Sequence, residues 1–97
     1  VFVVDARSQL HAYSRTAGAS AWLQKGLERR DLSAPLALQR AVVTGDFQGY
    51  VHFLSPEDGA FVARVNLGSA ISATPRALGG GAVVQTQDGV VALINIE

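Results

Sequence analysis

Residues 35–66 read PLALQRAVVTGDFQGYVHFLSPEDGAFVARVN, and this stretch contains four short apolar runs at positions 36–38, 41–44, 50–54 and 61–65. The runs are rich in Val, Phe and Tyr, and they are separated by Gly, Asp, Pro and Arg. Apolar runs of this length and composition, broken by turn-forming residues, are typical of β-strands rather than helices. Four such strands in succession predict an up-and-down antiparallel meander.

The same pattern recurs on both sides of this stretch. Gly49 returns as Gly89, 40 positions later, and Asp46 is preceded by Asp5, 41 positions earlier. Three copies of a four-strand unit with a period of about 40 residues are the sequence signature of a β-propeller. The sequence therefore predicts an all-β fold in which a complete repeat forms one four-stranded antiparallel blade.

The copies predict a single propeller fragment of about 2.5 blades across residues 1–97. Residues 1–24 form a partial blade, residues 33–66 a complete blade and residues 73–97 a partial final blade, with three, four and three strands. The chain begins inside a strand with Val1 rather than Met, so we expect a segment of a longer protein. A final blade without its outer strand exposes an unpaired edge, and the isolated segment is expected to pair with another copy or with the rest of its own protein.

Composition limits the classes of function. The 97 residues carry a formal net charge of zero, which gives no electrostatic reason to expect binding to nucleic acid or to an anionic membrane. No apolar run approaches the ~18–20 residues that a membrane span needs. The chain has no Cys, which excludes disulfides, thiolate metal sites and cysteine nucleophiles within it.

Four residues are predicted to have structural roles. Gly49, Gly59 and Gly89 lie at tight turns, where a left-handed backbone is needed. Trp22 follows Gly18 by four residues, the position at which tryptophan-docking propellers place an indole between neighbouring blades. A buried indole there contributes several kcal/mol of packing, roughly the cost of truncating a core Trp.

Asp and His residues recur with the repeat. Asp46 and Asp5 are predicted to accept hydrogen bonds from backbone N–H groups two residues on, as in an Asx turn. Asp46 lacks the Asp-x-Asp spacing of a calcium loop, so no metal site is expected there. His52 recurs as His11 but becomes Ala92 in the third copy, which favours histidines of the core or blade interface over a set of ligands.

The densest charge in the chain lies at residues 25–32, which connect an outer strand to the next blade and therefore cross one end of the propeller. One interpretation is a solvated crossover loop, since most charged loop residues are simply exposed. The other is a partner contact, because connections on one face of a repeat protein are the usual binding surface. The pattern alone leaves both open.

Two stretches carry a family resemblance. Residues 44–65, TGDFQGYVHFLSPEDGAFVARV, resemble the penultimate repeat of the BamB family, lipoproteins of the bacterial outer-membrane β-barrel assembly machinery. Residues 85–94, QTQDGVVALI, are similar to the C-terminal strands of that family. The resemblance covers essentially the whole chain.

The resemblance implies an eight-bladed propeller of the quinoprotein type, held by an N-terminal lipid at the periplasmic side of the outer membrane. It also implies a non-catalytic scaffold, without a cofactor, that binds the periplasmic POTRA domains of BamA and assists insertion of outer-membrane proteins. The crossover at residues 25–32 corresponds, blade for blade, to binding loops of the family. Arg29, Arg30 and Asp31 are therefore expected to make a peripheral partner contact.

Three alternatives to this scaffold are also built on propellers. A quinoprotein (pyrroloquinoline quinone) dehydrogenase uses the same repeat, but it needs calcium-binding carboxylates, a catalytic Asp and a docking Trp in most blades. Trp22 is the only Trp here, its second-repeat counterpart is Ala63, and the sequence contains no acidic cluster. A WD-type adaptor would carry Gly-His and Trp-Asp signatures, which are absent. A generic protein-binding propeller stays open.

Overall fold

The computed structural model describes residues 2–13, 20–28, 30–38, 40–78 and 81–95, without the side chains of Ser20 and Asn95. Within these ranges the chain forms ten β-strands and no helix. The strands are β1 Phe2–Val4, β2 Leu10–Tyr13, β3 Ser20–Gln24, β4 Leu36–Ala37, β5 Val42–Gly45, β6 Tyr50–Leu54, β7 Phe61–Asn66, β8 Arg76–Leu78, β9 Gly81–Gln85 and β10 Val91–Asn95. The prediction of an all-β chain is confirmed.

The strands form three separate antiparallel meanders. Their orders are β1-β2-β3, β4-β5-β6-β7 and β8-β9-β10, so each strand pairs with its neighbour in the chain. In the second sheet Val42 lies opposite Leu54, and Val43 lies opposite Phe53. Sheets of three, four and three strands match the predicted partial, complete and partial blades.

The sheets stack face to face through two hydrophobic cores. Side chains alternate across a strand, so neighbouring residues of β5 enter different cores. Val42 packs with Leu10 of the first sheet, and Val43 packs with Val84 of the third. All of β5 is buried, and so is β6 beyond its first residue. Burial on both faces of the middle strands is the packing of adjacent propeller blades.

Three turns of the same design lie at one end of the sheets, at residues 5–9, 46–50 and 86–90, and we call them the crossover-end turns. In each, the backbone N–H of the first residue donates to the carbonyl of the fifth, at 2.9 to 3.0 Å. The fourth residue has a positive φ of 61° at Ser8, 96° at Gly49 and 93° at Gly89. Ser8 therefore holds, in the first turn, the backbone conformation that the other two turns assign to glycine.

Trp22 joins the first sheet to the second at the opposite end. Its Nε1–H donates to the carbonyl oxygen of Pro56, at 3.0 Å. The indole also covers Gly59, where a Cβ atom would overlap Trp22 Cε3. Gly59 has a φ of 75°, so both its backbone conformation and the neighbouring indole require glycine. The single tryptophan thus lies between two blades.

Replacing Gly59 with Ala should destabilise the protein more than the same change at Gly89. Both glycines have positive φ, and a left-handed alanine costs about 1–2 kcal/mol at either position. A Cβ at Gly89 meets nothing within 4 Å, whereas a Cβ at Gly59 displaces the indole. We expect Gly59→Ala to lower the free energy of unfolding by a further 1–3 kcal/mol or so, the usual cost of overpacking. Urea unfolding of the two variants measures the difference, and equal losses would contradict the docking role of Trp22.

Candidate functional site

The crossover between the first two sheets, residues 25–35, lies against the second crossover-end turn. The backbone N–H of Phe47 in that turn donates to the carbonyl of Arg30, at 2.9 Å. The next crossover reaches the same turn, since the N–H of Ile71 donates to the carbonyl of Asp46, at 2.9 Å. Two connections and one turn therefore form a single hydrogen-bonded surface, which we call the crossover end.

The predicted partner-contact residues are placed differently from one another. Arg29 lies outside the described residues. Asp31 is exposed, has a φ of 49°, and lines an open groove of about 520 Å³ with Ala6, Arg7, Ser8 and Glu28. Arg30 instead reaches into the neighbouring blade. Its guanidinium lies 3.0 Å from Asp46 Oδ2 and stacks over the Tyr50 ring, 5.7 Å from the centroid.

Asp46 organises the second turn. Its Oδ1 accepts hydrogen bonds from the N–H groups of Gln48 and Tyr50, at 2.9 and 3.0 Å, of which the first is the predicted Asx-type contact two residues on. Its Oδ2 accepts from Arg30 Nη1 at 3.0 Å and lies 2.7 Å from His52 Nε2. The side chains of Asp46 and His52 are both fully buried. The carboxylate is thereby shared among four donors and is closed to solvent.

The partnership of Asp and His was missed in the sequence. The first turn repeats it, with Asp5 Oδ2 lying 2.8 Å from His11 Nε2. The signal was available, because each Asp precedes its His by six residues in both copies. In the third copy both positions change together, to Thr86 and to an Ala. Thr86 keeps one backbone contact, as its Oγ1 accepts from Val90 N–H at 3.1 Å.

Burial and hydrogen bonding set the ionisation of this pair. Burial lowers the pKa of His52 below its ordinary value of 6.5 and outweighs the opposing attraction of Asp46. The Nδ1 atom of His52 has no hydrogen-bond partner among the described residues, so protonation there would create a buried donor without an acceptor. Burial acts to raise the pKa of Asp46, but hydrogen bonds from His52, the Tyr50 N–H and Arg30 together bring it below 3.8. We therefore assign a neutral His52 and an ionised Asp46.

This assignment fixes how stability depends on pH. The unfolded chain protonates His52 more readily than the folded chain does. The contribution of neutral His52 to the free energy of unfolding is therefore complete above pH 6.5, and it falls as the pH drops towards the lower pKa of His52 in the folded chain. Asp46 adds a second loss below pH 3.8. Replacing His52 with Gln should flatten the first loss, because the amide does not titrate. The matched change His11→Gln should leave that loss in place.

Chemical denaturation at a series of pH values measures these slopes. A His52→Gln variant whose stability still falls as steeply between pH 6.5 and pH 3.8 would contradict the assignment of a neutral, buried imidazole.

The arrangement acts as a structural clamp. No group of three or more His, Asp or Glu side chains that could hold a metal occurs within the described residues. The buried Asp46 carboxylate is already hydrogen-bonded to the Arg30 guanidinium and the His52 imidazole, so a substrate cannot reach it from solvent. The accessible part of the crossover end is the polar surface around it.

Comparison with known proteins connects this geometry to a family. The chain is 49% identical over 88 residues to the outer membrane protein assembly factor BamB of Burkholderia pseudomallei, a match that covers 90% of this chain. The chain is homologous to BamB. It is 39% identical over 94 residues to BamB of Bordetella pertussis and 33% identical over 92 residues to BamB of Escherichia coli. These matches span 23% to 24% of each relative, so the chain corresponds to about a quarter of BamB. No protein-family model matches the chain.

Solved structures agree on the fold. The crystal structure of BamB from Moraxella catarrhalis superposes with a TM-score of 0.87 at 25% identity, over 95% of this chain and 27% of that chain. The computationally designed Ika8 protein matches with a TM-score of 0.74 at 17% identity, over 90% of this chain and 27% of its own, and shows likeness of fold alone. The resemblance to BamB and the β-propeller fold are confirmed. The described residues contain no helix that is long and apolar enough to cross a membrane.

Proposed function

We propose that this chain forms part of a non-catalytic propeller scaffold in outer-membrane protein assembly. The observation that carries the proposal is the 49% identity, over nine-tenths of the chain, to a protein named as an outer membrane protein assembly factor. The geometry supports it, because the buried Asp46 carboxylate is engaged in holding a turn, with hydrogen bonds to two backbone N–H groups, Arg30 and His52. The dehydrogenase alternative has no support among the described residues, because they contain no group of three or more His, Asp or Glu side chains that could hold its calcium ion.

The partner surface in this proposal is the crossover end, and the partner is the set of periplasmic POTRA domains of BamA. Asp31 supports this choice, since it is exposed beside an open groove. Arg30 then has a supporting role, because its guanidinium is bound to Asp46 and stacked on Tyr50. Arg29, the third predicted contact, belongs to the same segment. In the full-length protein we place this surface at the periplasmic side of the outer membrane, with the lipid anchor elsewhere in the chain.

A charge reversal at Asp31 tests the surface. Asp31→Lys should weaken binding to the BamA periplasmic domains about fivefold, or about 1 kcal/mol, and should alter its salt dependence, as expected for a charge at the rim of an interface. Glu57→Lys is the matched control, because Glu57 is also an exposed acid but lies on the turn next to Gly59, at the opposite end. Isothermal titration calorimetry at two salt concentrations gives both quantities. Equal losses of affinity in the two variants would show that the contact does not lie at the crossover end.

We also propose that the isolated segment pairs through the edge of its last sheet. Within the described residues β10 pairs with β9 alone, and Val91 and Leu93 are 63% and 55% exposed. An exposed apolar edge strand is a template for another strand. The occupant in the isolated segment is a second copy, and in a longer protein it is another part of the same chain.

Light scattering across a concentration series tests this pairing. The average mass of the segment should rise with concentration, and Leu93→Lys should reduce the rise, since a charge on an edge strand opposes pairing. The control Val62→Lys changes an equally exposed residue of β7. A monomer at every concentration would refute the proposal.

A further inference from the structure

The first crossover-end turn has a backbone donor that the other two turns satisfy through a crossover. In the second turn the N–H of Phe47 donates to the carbonyl of Arg30, at 2.9 Å. In the third turn the N–H of Gln87 donates to the carbonyl of Ala70, at 2.8 Å. Ala6 holds this position in the first turn, and its N–H has no partner among the described residues. Both acceptors belong to the crossover that enters the blade, so this contact distinguishes the first turn from the others.

The acid of the first turn is also less enclosed than its counterpart. Asp5 Oδ2 and Asp46 Oδ2 lie 2.8 and 2.7 Å from the Nε2 of a histidine. Asp46 Oδ2 also accepts from Arg30 Nη1, at 3.0 Å, whereas no arginine or lysine of the described residues pairs with Asp5. The side chain of Asp5 is 34% exposed, and that of Asp46 is 0% exposed. The first turn therefore presents a carboxylate oxygen to solvent where the second turn binds a guanidinium.

The third copy indicates which turns receive a cation. Its crossover has Ala70 at the position of Arg30, as the matching contacts with the turns show. In the same copy Thr86 takes the place of the acid, and Ala92 takes the place of the histidine. The arginine is thus present with the Asp–His pair and absent without it. Because the first copy has the pair, its turn is of the type that receives a cation.

We propose that the first crossover-end turn is the docking site for a crossover of a preceding blade that carries an arginine. The carbonyl of that arginine accepts from the Ala6 N–H, and its guanidinium binds Asp5 Oδ2, as Arg30 does at the second turn. The hydrogen bond with His11 holds the pKa of Asp5 below 3.8, so the bond to the guanidinium is charge-assisted. The BamB relatives are about four times as long as the matched region, and in a longer protein the occupant is part of the same chain.

Two neighbours of Asp5 differ from those of the second turn. Gln9 takes the position of Tyr50, so the incoming guanidinium has no ring of the kind on which Arg30 stacks. Arg7 is exposed and makes no ion pair with Asp5 within the described part of the chain, so it does not occupy the carboxylate. The bound cation is therefore held by Asp5 itself, and we expect weaker binding than at the second turn.

A synthetic peptide of residues 25–33 tests the proposal, because this crossover is the one that lies on the second turn. NMR spectroscopy of the 97-residue chain follows the N–H resonances during the titration. The resonance of Ala6 should shift and saturate with a Kd of about 1 mM, the range of weak association. The resonance of Gln87 is the internal control and should stay in place, because its N–H already has a carbonyl partner.

A double-mutant cycle tests the predicted pairing. Asp5→Asn keeps a side-chain oxygen for the N–H groups of Arg7 and Gln9 but removes the charge. It should raise the Kd at least about tenfold, as should Arg30→Ala in the peptide, since each removes one hydrogen bond between charged groups. The two changes together should raise the Kd no more than either one alone, because both remove the same contact.

The other outcomes overturn the proposal. Additive losses in the cycle would show that Asp5 does not pair with the arginine. The absence of any shift at Ala6 up to about 10 mM peptide, ten times the expected Kd, would refute the docking site. A shift at Ala6 that grows with protein concentration in the absence of peptide would assign the turn to a second copy of the chain instead. None of these measurements involves BamA, so the result is independent of the proposed function.

Discussion

The carboxylate of Asp46 is the point on which the crossover end depends. It accepts two backbone N–H groups of its own turn, a guanidinium from the preceding crossover and the imidazole of the following strand. Charge-assisted hydrogen bonds are roughly twice as strong as neutral ones, and burial increases the cost of breaking any of them. One side chain thereby orders a turn, a crossover and a strand, and it supports the surface on which Arg30 and Phe47 lie.

Much of the fold could be predicted because it follows from local patterns. Short Val-rich runs at a regular spacing define the strands, and alternation along β5 sends Val42 and Val43 into different cores. The recurring turn glycines and the single Trp22 indicated where turns and blades meet. Each of these features depends on residues close in sequence or on the period of the repeat, which is the information that a sequence displays directly.

The polar site was less predictable because its contacts cross between blades. Arg30 lies in the crossover that follows the first sheet and Asp46 in a turn of the second sheet, 16 residues later, and only the folding of that crossover against the turn brings them together. The sequence therefore predicted the same role for Arg30 and Asp31, a peripheral partner contact, whereas in the structure Arg30 is bound to Asp46 and Asp31 is exposed. The exposure of Phe47 was equally hidden, since an aromatic residue between polar neighbours is compatible with either a core or a surface position.

The shared carboxylate also constrains how the repeats can diverge. Removing the Asp would leave a buried imidazole without a partner, and removing the His would leave a buried carboxylate short of one donor; either change carries a desolvation penalty. The third copy has Thr86 and Ala92 at these two positions. A repeat without the Asp is therefore expected to lack the His as well, and its turn needs other support, which Thr86 supplies by accepting from the Val90 N–H and by donating to Asp88 Oδ1.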